Sequence, residues 1–165
     1  MAGSVTYNDD IKGVFRSLLA QAKALRQGPA SHTELEYIIE EIFRTLRFKY
    51  VQQLQARDHG VDFAVWNDQL GRLLGNPIIV EVKAGALTLA KIEHFTHQLM
   101  VYAEKSDSSL ALLFYLDPKR TKFEWNFNLK PLILAFDVED FLNSLLQDSF
   151  ENIILFQRNR IVHNK

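Results

Sequence analysis

The chain has no cysteine. Disulfides and thiolate metal sites are therefore excluded, and the composition fits a reducing compartment. No apolar run approaches the roughly 18 residues needed to span a bilayer, and the N-terminus lacks the layout of a signal peptide; a cytoplasmic protein without a membrane partner is expected. Charge of one sign is also missing. With 19 basic and 20 acidic residues the net charge is −1, which argues against a broadly basic, phosphate-tracking surface. Local clusters, Arg44, Arg47 and Lys49 or Lys119, Arg120 and Lys122, are what remains for gripping a polyanion. The five histidines are scattered, so no histidine metal set can be read from their spacing, and His94 reads as a surface residue.

What is present is an ordinary globular composition, 47% hydrophobic and 24% charged over 165 residues, which fits one domain able to bury a real core. Ile11, Val14, Phe15, Leu18, Leu19, Ala22 and Leu25 recur at helical spacing between Tyr7 and Gln27, and Gly28-Pro29 ends the run. Ser31 and Thr33 offer caps for a second helix whose apolar stripe is Leu35, Ile38, Ile39, Ile42, Phe43 and Leu46. Phe48 to Arg57 and Val61 to Trp66 read as strands joined by a tight turn at Asp58-His59-Gly60. Asn67 to Asn76 reads as a loop with one helical turn, leading into a strand through Ile78, Ile79, Val80, Glu81, Val82 and Lys83. A helix from Thr88 to about Glu104 and a buried strand from Ser109 to Leu116 then make a strand-helix-strand crossover, hence parallel pairing. Asp117 to Arg120 is a turn, Lys122 to Asn128 alternates like an edge strand containing Trp125 and Phe127, and Val138 to Leu146 is a short helix capped by Asp137.

The strand through Glu81 carries an oddity. Its apolar run is that of a doubly covered central strand, yet Glu81 and Lys83 share one face, where burial is expensive unless the charges are paired or bound to a metal. A divalent-metal site for phosphodiester hydrolysis explains this: Asp62 and Glu81 offer hard oxygen ligands to Mg²⁺ or Mn²⁺, and the Val82 carbonyl could add a third. Lys83 would orient or help deprotonate the attacking water and neutralise charge that builds on the phosphorus centre.

These residues resemble the signature of the PD-(D/E)XK, restriction-endonuclease-like nucleases. It stands here as Val61-Asp62, an 18-residue spacer and Glu81-Val82-Lys83, with Val61 where the family has proline. Leu35 to Phe48 resembles the first helix of Mrr-like members, in which the helix glutamate reaches the metal site; Glu36 is the matching residue. A carboxylate favoured by the helix dipole is the alternative for Glu36, and Glu40 is its rival for the site. Gln98-Leu99-Met100-Val101-Tyr102 resembles the QxxxY element of RecB-like members, in which the glutamine contacts phosphate or orients the lysine and the tyrosine positions the strand.

The resemblance spans about Leu35 to Tyr115. It implies an α/β fold with a central mixed sheet of four to five strands flanked by helices, and Mg²⁺- or Mn²⁺-dependent hydrolysis of DNA rather than RNA, with a 3′-hydroxyl leaving. One domain is expected over 1–165, divided into an N-terminal helix (1–30), a nuclease core (31–116) and a C-terminal edge strand and helix (117–165). A homodimer would place two sites for double-strand cleavage. Two alternatives stay open: a catalytically inactive binding module, and an effector domain of a defence or repair system targeted by partner proteins. Separately, Arg158 and His163 resemble the R-x(4)-H motif of HEPN ribonucleases, but those are all-helical bundles, whereas strands precede this segment and Ile153 to Phe156 reads as β-prone.

Overall fold

Helices begin where a short polar side chain can accept from an otherwise unpartnered backbone N–H. Asn8 opens α1 (Asp9–Gln27), Ser31 opens α2 (His32–Thr45), Asn67 opens α3 (Asp68–Leu74), Thr88 opens α4 (Leu89–Ser106) and Asp137 opens α5 (Val138–Leu145). Ser149 likewise accepts from the Asn152 N–H at 3.2 Å to open α6 (Phe150–His163), whose first N–H also donates to the Tyr7 hydroxyl at 2.8 Å. The computed structural model describes residues 6–29, 31–52, 61–120 and 131–163. Five strands, β1 (Lys49–Gln52), β2 (Phe63–Trp66), β3 (Ile78–Ala84), β4 (Leu110–Leu116) and β5 (Leu132–Asp137), form one sheet in chain order. β1, β2 and β3 are antiparallel neighbours, whereas β3, β4 and β5 run parallel. The expected mixed α/β sheet flanked by helices is the fold observed.

Alternation along β3 sorts the core into two layers. Ile78, Val80 and Val82 face the larger layer with Phe15 of α1, Phe43 of α2, Phe141 of α5 and Phe150 of α6. Ile79 faces the smaller one, built with Leu99 and Ala103 of α4, Ala111, Leu113 and Ile133. Glu81 and Lys83 share the Ile79 side, so both project from the end of the sheet face that α4 covers.

A buried ionic cluster ties the C-terminal end of α1 to the other end of the chain. Arg26 meets Asp137 at 2.5 Å and Glu139 at 3.2 Å, and donates to the Asp117 carbonyl at 2.7 Å. Arg120 binds the other oxygen of Glu139 at 2.9 Å.

Several expectations need correction. Asn67 to Asn76 contains the two-turn α3, because Asn67 is a buried cap that also donates to Glu151. The last strand is Leu132–Asp137, an unalternating apolar run that continues directly into α5 and so carries no period of its own. The strand expected at Lys122 to Asn128, with Trp125 and Phe127, lies outside the described residues, as do the end of the expected first strand and the Asp58-His59-Gly60 turn. Ile153 to Phe156 is helical: α6 buries Phe150 and Ile154, four residues apart, and Phe150 packs edge-on against Phe43 and Phe141. Two helices therefore follow the last strand where one was expected.

Candidate active site

Asp62 sits just before β2, beyond the last β2–β3 pair, Phe63 with Val80. Freed from the ladder, its carboxylate takes over the role of a strand partner: Oδ2 accepts from the Val82 N–H at 2.6 Å. A residue's N–H and C=O leave the same edge of an extended strand, so the Val82 carbonyl faces the Asp62 edge as well. One side chain thus holds the strand end and closes one side of the site.

Three carboxyl groups converge here. Glu36, one turn into α2, and Asp62 lie with His32 so that one ligand atom from each falls within 4.8 Å of the others. His32 Nε2 is 2.8 Å from Glu36 Oε1 and 3.6 Å from Asp62 Oδ1. Glu81, 4% exposed, hydrogen-bonds to Asp62 and receives Lys83 Nζ at 3.1 Å. The ammonium of Lys83 also lies 4.6 Å from the centre of the Phe95 ring of α4, a cation–π contact that holds it at the site.

Crowding divides the protons unequally. Burial, reinforced by the Asp62 charge and hydrogen bond, pushes the Glu81 carboxyl up to about 8. Burial and then Asp62 push Glu36 up to about 7. Burial would raise Asp62 as well, but bonds from His32, Glu36, Glu81 and the Val82 N–H outweigh it and hold Asp62 at about 2. Asp62 therefore keeps the negative charge while its neighbours hold protons. His32 is raised by its hydrogen bond to Asp62 and by the charges of Asp62 and Glu36, against the opposing effect of burial.

The structure thus brings together Asp62, Glu81, Lys83, Glu36 and the backbone of Val82. It separates Glu40, whose carboxylate meets Arg44 at 2.6 Å. Gln98 is half-buried one turn beyond Phe95 on α4, and Tyr102, a turn further, packs against the smaller core layer. Two contributors were not legible beforehand. His32 could have been found by asking what lies four residues before Glu36 on the same helix face; Phe95 is half-buried beneath Lys83. The expected basic clusters are weakened, since Arg44 is paired with Glu40 and Glu41, and Arg120 with Glu139. No helix of the described residues is long and apolar enough to cross a membrane.

The family model Mrr_cat, restriction endonuclease, matches residues 29–106. No curated protein and no solved structure matches the chain. The matched segment runs from the approach to α2 through α4 and includes every side chain of the cluster. Over this segment the chain is similar to restriction endonucleases, and the mixed five-stranded sheet around it is consistent with the restriction-endonuclease-like fold of the PD-(D/E)XK superfamily.

Proposed function

We propose that this protein is a divalent-metal-dependent nuclease that hydrolyses phosphodiester bonds, preferentially of DNA, and that Asp62, Glu81 and Lys83 are its catalytic residues. The observation that carries this is the convergence of three carboxyl groups, two with raised pKa values, beside one lysine at the end of β3. Crowded acids that must hold protons to coexist are a donor set a hard cation fits, because the cation replaces those protons. Asp62, Glu81 and the Val82 carbonyl would hold it, with Glu36 and His32 in support. When bound, the cation supplies Lewis acidity toward the phosphate and lowers the pKa of the attacking water.

The chain's own residues do the rest. Lys83, fixed between Glu81 and the Phe95 ring, orients the water and offsets charge on the phosphorus centre as it develops. Asp62 fixes the strand end through Val82, so cation site and lysine keep one geometry. Gln98 and Tyr102 extend the α4 face toward phosphate or the substrate strand. His32 adds a nitrogen donor, which Mn²⁺ accepts more readily than Mg²⁺.

The test is cleavage of supercoiled plasmid, linear duplex, single-stranded DNA and RNA with Mg²⁺, Mn²⁺ or EDTA. Wild type is expected to cut with metal only, and Asp62→Ala and Lys83→Ala to lose at least about 100-fold in rate, as for loss of a group that stabilises the transition state. Cutting that survives both variants would sink this reading. The pairing of Arg44 and Arg120 with acids favours a refinement in which partner proteins or a second copy deliver the substrate; inert wild type that becomes active on adding a partner would establish it. Cytoplasmic location and a single domain over 1–165, divided as above, complete the proposal.

A further inference from the structure

The face of the sheet that carries Glu81 and Lys83 is covered by α4 over β3 and β4. Over β1 and β2 the described residues leave the same face open. Tyr50 belongs to the opposite, larger core layer, as do Phe63 and Val65, so Lys49 and Val51 on β1 and Ala64 and Trp66 on β2 turn the other way. Lys49 pairs with Trp66 and Val51 with Ala64 in the ladder. Val51 is 52% exposed, Lys49 is exposed, and Ala64 and Trp66 are only half-buried.

This row is continuous with the candidate active site. Asp62, Ala64 and Trp66 are alternate residues, and four residues of strand place Trp66 about 13 Å from Asp62. Lys49 Nζ lies 5.6 Å from the centre of the Trp66 ring, so a cation and an aromatic surface are presented together. Beyond Trp66 the face opens onto a recess of about 610 Å³ whose lining includes Arg47, Lys49 and Arg72 against Asp68 and Glu151. Glu151 is already engaged by Asn67 at 2.8 Å. Cations therefore outnumber acids here, in a chain whose net charge is −1.

We infer that the open face of β1 and β2 binds single-stranded nucleic acid next to the scissile phosphate, with a base stacked on Trp66 and the backbone tracked by Lys49, Arg47 and Arg72. Aromatic stacking accepts any base, and nearby cations follow the phosphates, which is how unpaired strands are held without sequence preference. A base paired in duplex cannot present its face to Trp66. The face would therefore favour unpaired flanks, which deepens the nuclease reading and rests on it for the location of the scissile phosphate.

Binding of short oligo(dT) in EDTA, followed by fluorescence anisotropy, separates this inference from cleavage. Trp66→Ala is expected to weaken binding roughly 5- to 100-fold, the range for loss of one stacked base. Trp66→Phe should lose less, and Lys49→Ala should weaken binding and flatten its salt dependence. The chain's two tryptophans are Trp66 and Trp125; in a Trp125→Phe background, oligo(dT) should quench the remaining emission, and an abasic strand of equal length should not. A protein that never cleaves but binds through Trp66 still supports the inference. A cleaving protein whose oligo(dT) affinity ignores Trp66→Phe, Trp66→Ala and Lys49→Ala overturns it. So does a dimer dissociated by Val51→Glu with oligo(dT) affinity unchanged, which would assign the face to a second copy.

Discussion

Glu81 is the residue on which stability and chemistry meet. In the metal-free protein its pKa is raised from an ordinary 4.5 to about 8, so the folded state binds a proton the unfolded state has released. Stability from this group is complete below about pH 4.5 and lost as pH rises toward 8. Glu36, raised to about 7, and His32, raised above 6.5, act in the same direction. Asp62, lowered to about 2 from 3.8, acts oppositely: its contribution is present above 3.8 and lost only in stronger acid. In EDTA, the unfolding free energy from urea titration should therefore fall between pH 5 and pH 8, by an amount on the order of 3 kcal/mol. Glu81→Gln should flatten that fall and be the more stable protein at pH 8; an unchanged profile would show that Glu81 is not held protonated. Mn²⁺ should reverse the loss and release protons on binding, which titration calorimetry in buffers of different ionisation enthalpy reads directly.

At the scale of elements, α2 and β2 deliver the site. Ser31 accepts from the Glu34 N–H at 3.2 Å and fixes where α2 begins, so His32 and Glu36 face Asp62 on successive turns. Ser31→Ala should lower stability by about 1 kcal/mol in chemical denaturation, with weaker Mn²⁺ binding because the first turn frays. These elements were readable where a local rule sufficed. Ser31, Thr88 and Asp137 are caps by residue type, and the periods of α1, α2 and α4 stand out against polar flanks. The strand Leu132–Asp137 was not readable, since a short apolar run fused to a helix has no period to distinguish it. The helix at Ile153 to Phe156 was misread because β-branched composition was weighed above the four-residue spacing of Phe150 and Ile154.

At the scale of the molecule, the Arg26 cluster locks the C-terminal end of α1 against Asp117, Asp137 and Glu139. Removing its guanidinium would take the cation from Asp137, leave Glu139 to Arg120 alone, and strip the Asp117 carbonyl of its donor. Arg26→Ala should therefore destabilise by about 3–5 kcal/mol in urea unfolding, and Arg26→Lys, which cannot reproduce the forked contacts, should recover only part.

The sequence by itself determined the order of helices and strands, with parallel pairing across the α4 crossover, and put Glu81 and Lys83 on one face of a central strand. That much is legible because alternation and burial cost are local properties of a strand. Only the tertiary structure decided which glutamate joins Asp62. Glu36 and Glu40 lie on the same helix, one turn apart, and the packing of α2 turned one toward the site and left the other to Arg44. It also brought His32 and Phe95 to the cluster and left the β1–β2 face open, because those outcomes depend on contacts between elements far apart in the chain, on which local patterns place no constraint.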